Sequence, residues 1–274
     1  MSEVLLRNFK YLLLWMFVSG LASPGAADSL SVTYIANDGF LISCQDKNIL
    51  IDALFDKGFG KYATPSESLQ ARIINGEPPF ESIDLYLVTH NHGDHFTPQM
   101  VNAFMTHHNE TLLVSSPQVC DQLDRSTIPG DRIKVVDLDI GASTEMKLKG
   151  IGFKIYRFKH LEDSSGVRCI NLGFLMDVCG TRIFHPGDIT LEWSKDQLKN
   201  FKMEKENIDI LFQPFFDLSG FSVDLVSKWG PVYIIADHVP TAQFKEAVKN
   251  FRNAFPGGIL MEHEMDRINI GTRD

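Results

Sequence analysis

Three imidazoles and one carboxylate fall within six positions of the segment Thr89-His90-Asn91-His92-Gly93-Asp94-His95-Phe96. Neutral imidazole and carboxylate are the ligands that divalent zinc, iron and manganese accept. The cluster follows the largely apolar run Ile83-Asp84-Leu85-Tyr86-Leu87-Val88, which reads as a buried strand. A rigid strand ending in a Gly-containing loop can aim several ligands at one point. The plainer alternative is a polar loop that happens to be rich in His, but surface His seldom group with an Asp at this spacing.

Three further residues sit at the ends of strand-like segments. His160 follows the alternating stretch Ile151–Phe158, where Ile151, Phe153 and Ile155 share one face and Gly152, Lys154 and Tyr156 the other. Asp188 ends Thr181-Arg182-Ile183-Phe184-His185-Pro186-Gly187-Asp188, a short strand entering a Pro-Gly turn, and His238 ends Pro231-Val232-Tyr233-Ile234-Ile235-Ala236-Asp237-His238. The spacing His90-x-His92-x-Asp94-His95, followed in order by His160, Asp188 and His238, resembles the signature of the metallo-β-lactamase superfamily. The resemblance spans about Ser31 to Ile270 and implies an α+β fold, a four-layer αββα sandwich. It also implies two divalent metal ions per chain, zinc first, with iron or manganese as the other options. His90, His92 and His160 would bind one ion, Asp94, His95 and His238 the other, and Asp188 would bridge them. Asp94 would serve catalysis as well, orienting the nucleophile and passing its proton to the leaving group.

Several neighbours are weighed beside these seven. His185 is expected to touch a ligand or face substrate, with a structural role equally open. Asp237 should point away from His238 on an extended strand, and so be structural. His263 competes with His238 for the last ligand position, but the order of elements favours His238. His107 and His108 end a helix and are expected to be solvated. In Asn37-Asp38-Gly39-Phe40, Gly39 is expected to serve a tight turn, although such loops can line the cleft in this superfamily.

The first residues read as a leader. Arg7 and Lys10 precede the apolar run Tyr11–Val18 and the small-residue stretch Ala22–Ala27, the order of a secretory signal peptide over residues 1–27. The expected organisation is that leader plus one hydrolase-like domain over 28–274, exported to the periplasm or secreted, and an uncleaved N-terminal anchor is the alternative. The apolar run is short for a membrane span, so no stable insertion is expected once the leader is gone. Removing residues 1–27 leaves 24 basic and 34 acidic residues, a net charge of −10. That balance disfavours nucleic acid, whose phosphates are met by Lys and Arg, and leaves a small-molecule substrate. Cys44, Cys120, Cys169 and Cys179 lack the paired spacing of a zinc ribbon. Cys44 and Cys169 lie in strand-like segments, so buried thiols are the default expectation; sequence alone does not fix pairing.

Strands are expected over Ser31–Ala36, Phe40–Cys44, Asn48–Ala53, Ile83–Val88, Thr111–Ser115, Arg132–Asp137, Ile151–Phe158, Val167–Val178, Thr181–His185, Asp209–Gln213, Pro231–Ala236 and Gly258–Met261. Helices are expected from a capping box at Thr64-Pro65-Ser66-Glu67 to Gly76, over Pro98–His107, Thr190–Asn200 and Ser222–Trp229, and from Thr241 to Phe255.

β-Lactam-degrading members of the superfamily place another residue where this chain has Asp188. The resemblance therefore points to Asp-bridged relatives acting on esters, lactones or phosphoesters, nearest to small metal-dependent hydrolases related to L-ascorbate-6-phosphate lactonase. Two alternatives stay open, a mononuclear iron dioxygenase acting on a thiol or persulfide, and a non-catalytic metal-binding module.

Overall fold

Alternation along the strands decides which core each side chain enters. The computed structural model describes residues 30–161 and 168–271; the expected leader lies outside them. In β1 (Leu30–Ala36), Leu30, Val32 and Tyr34 enter one apolar layer and Ile35 another, the period of two that a pleated strand imposes. The same alternation runs through β2 (Gly39–Cys44), β3 (Lys47–Ile51), β4 (Leu85–Leu87) and β5 (Leu112–Ser115), with β6 (Ile133–Val135) completing this side. The first three strands are antiparallel, and β3 through β6 run parallel.

The second sheet contains β7 (Ser143–Leu148), β8 (Ile151–Lys159), β9 (Ile170–Val178), β10 (Thr181–His185), β11 (Ile210–Pro214) and β12 (Tyr233–Asp237), in the order β12-β11-β10-β9-β8-β7. Ile151, Phe153 and Ile155 enter the layer between the sheets, as expected, while Tyr156 and Phe158 face the outer helices. Each fully buried Leu, Ile or Phe contributes about 1.5–3 kcal/mol, so a shift of one residue in register would exchange the two layers' contents and is strongly disfavoured.

Helices cover both outer faces. Leu69 and Ile73 of α1 (Glu67–Ile74) and Val101, Phe104 and Met105 of α2 (Pro98–His107) pack on the first sheet. A short α3 (Pro117–Cys120) lies beside them. Leu198 of α4 (Lys195–Phe201), Val226 of α5 (Gly220–Trp229), and Ala247 and Phe251 of α6 (Phe244–Ala254) cover the second sheet. The result is the expected α+β, four-layer αββα sandwich. No helix among the described residues is long and apolar enough to cross a membrane.

Several expected boundaries move. Ser66, not Thr64, caps α1, because its hydroxyl accepts the amide of Leu69. The helix expected from Thr190 begins at Lys195, after a run of turns. Gly258–Met261 makes only an isolated bridge, Ile259 to Ile235. The strand that closes the first sheet is instead β13 (Arg267–Ile270), paired antiparallel with β1.

Cys44 is joined to Cys179 by a disulfide, which corrects the expectation of a buried free thiol there. The bridge ties the end of β2 to the β9–β10 turn and so staples the two sheets together across 135 residues of sequence. Cys120 and Cys169 carry no disulfide and are buried.

Candidate metal centre

Ligand candidates gather at one end of the sandwich because four strands run out there. β4 leads to His90, β8 to His160, β10 to Asp188 and β12 to His238. The β1–β2 turn and the end of β3 add Asp38 and Asp52.

Asp52 organises the first cluster. It sits in a left-handed backbone conformation, φ 42°, and its carboxylate accepts the Thr89 amide at 2.8 Å and the Thr89 hydroxyl at 2.5 Å. The same carboxylate lies 2.8 Å from Nδ1 of His95, while the Thr89 hydroxyl stands 3.0 Å from Nδ1 of His90. Occupying Nδ1 in this way turns Nε2 of both rings toward the centre and fixes the tautomer. The loop itself is held by amides of His95 and Phe96 on the His92 carbonyl and by Thr97, whose amide bonds Leu54 and whose hydroxyl bonds Asp56.

Asp188 stands between two groups of His. Its Oδ1 lies 2.9 Å from Nε2 of His238 and 3.3 Å from Nε2 of His95. Its Oδ2 lies 3.5 Å from Nε2 of His160 and 3.9 Å from Nε2 of His90. The Asp188 amide donates to Asn171, whose own amide donates to the Pro186 carbonyl. Gly187 is required in this turn. Its φ is +65°, and a Cβ there would lie 2.4 Å from Oδ1 of Asn171.

The ligand atoms of His90, His92, His160 and Cys169 lie within 4.8 Å of one another, and so do those of Asp38, His95, Asp188 and His238. A buried trio behind them, Asp38, His185 and Asp237, meets the same limit. Asp94 belongs to none of the three groups. Its Oδ1 is 3.9 Å from Nε2 of His95, and the Asn37 amide nitrogen approaches its carbonyl and carboxylate at 3.3 and 3.5 Å.

The electrostatics divide along the same line. Burial, helped by the charge of His95, holds His90 well below the usual imidazole range, and burial also lowers His92. Burial opposes protonation of His95 and His238 too, but Asp188 together with Asp52 at His95, and with Asp38 and Asp237 at His238, more than offsets it and raises both. Burial would raise Asp38, yet His185 and His238 hold it down to about 2. Burial lowers His185, and Asp38 together with Asp52 and Asp237 more than compensates, lifting it to about 9.

The donor set fits divalent ions. Nε2 of His90 is fully buried and makes no hydrogen bond among the described residues. Nε2 of His95 and Nε2 of His238 face each other at 3.2 Å, while carboxylates occupy their Nδ1 atoms. Two imidazole nitrogens so placed need a cation or a proton between them.

A cavity of about 500 Å³ opens over the centre. Its wall includes His92, Asp94, His160, Asp188 and His238, with Phe59, Lys61, Tyr62, Leu161 and Phe216 around them. His90 and His95 lie beneath this floor and are fully buried.

Residues 31–227 match the beta-lactamase superfamily domain. The chain belongs to the metallo-β-lactamase superfamily. It is 25% identical over 150 residues to a protein of Staphylococcus saprophyticus named a metal-dependent hydrolase. That match covers 52% of this chain and 59% of the relative's length. Its fold resembles a metallo hydrolase of the archaeon Ignicoccus hospitalis, with TM-score 0.62, 16% identity, and 89% and 100% of the two chains covered. A metallo-beta-lactamase fold protein of Bacillus subtilis gives 0.61, 12% identity, and 88% and 99% coverage. A diiron β-hydroxylase of Streptomyces venezuelae gives 0.54, 12% identity, and 91% and 55% coverage.

In this superfamily member, the structure brings six of the seven expected ligands within the two groups and leaves Asp94 at the cavity wall. His185 faces Asp38, with Nε2 3.4 Å from its Oδ1, and does not line the cavity. Asp237 does not point away from His238, because His238 adopts φ 51° and breaks the strand's alternation. Its Oδ1 instead lies 3.3 Å from His238 Nδ1. His108 is buried, against expectation: it stacks on Phe104 and bonds the Ile73 carbonyl at 2.9 Å. His107 and His263 are exposed and stand outside all three groups. Asp38, Asp52 and Asn171 were not anticipated. An acid directly after the apolar β3, repeating the pattern seen before His90, was the available signal for Asp52.

Proposed function

We propose that this protein is a metal-dependent hydrolase with two divalent ions, one held by His90, His92 and His160, the other by Asp94, His95 and His238, with Asp188 shared. The observation that carries this reading is Asp188, whose two oxygens address different His groups. The names of the Staphylococcus and Ignicoccus relatives support hydrolysis, and a His-rich donor set suits zinc.

Such a pair, when bound, lowers the pKa of water toward neutrality and polarises a substrate oxygen. The chain's own residues supply the rest. Asp52 and Thr89 fix the rings of His95 and His90. Asp94, steadied by Asn37 at the cavity wall, is placed to pass a proton to the leaving group. Lys61 offers a positive charge to an anionic substrate group, and the edges of Tyr62 and Phe216 flank His238. The substrate proposed is a small ester, lactone or phosphoester.

Asp188→Ala should abolish turnover of activated esters and phosphodiesters while circular dichroism stays unchanged; retained turnover would remove Asp188 from the mechanism. The fold's likeness to a diiron hydroxylase supports a second reading in which iron is bound. Oxygen consumption on a persulfide by protein holding one iron per chain would replace the hydrolase.

We also propose export, with cleavage after Ala27. The Cys44–Cys179 disulfide supports it, since such bonds persist in oxidising compartments. N-terminal sequencing of the mature protein should begin at Asp28, and a chain starting at Met1 in the cytosol would contradict it.

A further inference from the structure

We infer that Cys169 is a sulfur ligand in the His90–His92–His160 half of the centre, beyond the seven residues assigned above. The inference rests on the metal-centre reading and concerns which of this chain's atoms complete it. Cys169 is 3% exposed, and its Sγ and the ring nitrogens of His90, His92 and His160 all lie within 4.8 Å of one another. Around a zinc ion, nitrogen at about 2.0–2.1 Å and sulfur at about 2.3 Å place neighbouring donors roughly 3–4 Å apart, and Asp188 would be a further donor beside these four. Small side-chain rotations would therefore bring all four to one ion.

One observation beside these distances points to a ligand at this spot, and a second shows how the thiol is held there. His90 belongs to this group, and its Nε2 is fully buried and makes no hydrogen bond among the described residues. The chain around Cys169 is also clamped: Gln118 accepts the Ile170 amide at 2.7 Å and donates to the Arg168 carbonyl at 2.9 Å. One residue thus fixes the backbone on both sides of the thiol. Cys169 lies immediately before β9, two residues ahead of Asn171, and Asn171 holds the Asp188 turn. The segment that steadies the shared carboxylate also delivers the sulfur.

Cys120 provides the internal contrast. It too is buried without a disulfide, but its Sγ donates to the Ser115 carbonyl at 3.6 Å, and it belongs to none of the three candidate groups found among the described residues. A packing role for Cys169 is the simpler alternative, since its Sγ lies 4.0 Å from Oδ1 of Asn91. Ligation requires the thiol proton to leave to solvent as the ion binds. A soft donor would tilt this half toward zinc or iron and away from manganese.

The test uses the full chain loaded with cobalt(II) in place of the native metal. The expected result is a near-ultraviolet sulfur-to-cobalt charge-transfer band that disappears in Cys169→Ser and persists in Cys120→Ser. Zinc affinity for one of the two ions should fall in Cys169→Ser by at least the roughly 10–100-fold that loss of an outer partner costs. Cys169→Ala, checked by circular dichroism, guards against a folding defect in the serine variant, and the wild-type spectrum is decisive by itself. Visible cobalt bands without the charge-transfer band, or a band surviving in Cys169→Ser, would overturn the role of Cys169 and leave the His and Asp centre standing. Failure to bind cobalt at all would overturn both.

Discussion

The two halves of the centre are built differently although they share one carboxylate. His95 and His238 have buried acids behind them, Asp52 at 2.8 Å from one ring and Asp237 at 3.3 Å from the other. His90 is steadied by the neutral hydroxyl of Thr89, and His92 and His160 stand with it and a thiol. Burial dominates on the thiol side and keeps His90 and His92 below the ordinary imidazole range. Carboxylates dominate on the other side and lift His95 and His238 above it. Under the proposed metal binding, the imidazoles His90 and His92 would be ready to ligate without losing a proton, so that only the Cys169 thiol would release one in that half, whereas His95 and His238 would first have to give up theirs.

That contrast can be broken or sharpened in decreasing order of effect. Replacing Asp188 by Asn removes the group common to both halves, so both ions should be lost together and activity should fall to background; loss of one ion only would show that the halves are independent. Asp52→Asn acts on one half through His95, and titration should show one ion weakened by roughly 10–100-fold and the other unchanged. The Cys44–Cys179 bridge lies at the opposite end of the sheets from the centre. Cys44→Ser should cost about 2–4 kcal/mol in denaturant unfolding with the metal content intact, and loss of metal would show that the staple also shapes the site.

The smallest effect belongs to the outer face of the second sheet. Burial would raise the Glu206 carboxyl, but hydrogen bonds from Lys154 at 2.8 Å and Tyr156 at 3.0 Å outweigh it and hold it below the usual range. Its folded value lies below its unfolded one, so its contribution is complete above the unfolded value and fades as pH falls through the folded one. Glu206→Gln should cost about 1 kcal/mol at neutral pH, discounted for solvent screening, and the difference from wild type should vanish in acid. A gap independent of pH would assign the effect to packing.

The candidate ligands His90, His160, Asp188 and His238 stood out in the sequence because each follows an apolar strand, while their grouping as ligands came from the resemblance to the superfamily. The inward faces of β1, β2 and β8 were legible from apolar patterning too. What escaped depends on contacts between distant segments. Asp52 and Asp38 look like ordinary turn acids until the strands bring them beneath His95 and beside His185. Cys44 and Cys179 meet across 135 residues. β7 and β13 are edge strands with polar, half-exposed patterns, Ser-Thr-Glu-Met-Lys-Leu and Arg-Ile-Asn-Ile, which carry little hydrophobic signal. Asp237 was misplaced because strand alternation was extended one residue too far, to a His238 that leaves the extended region.

Metal analysis of the purified wild-type protein tests the central claim most directly. Two zinc ions per chain are predicted, both removed by chelation together with activity and both restored on adding zinc. One iron per chain, or a single zinc that supports full turnover, would contradict the account.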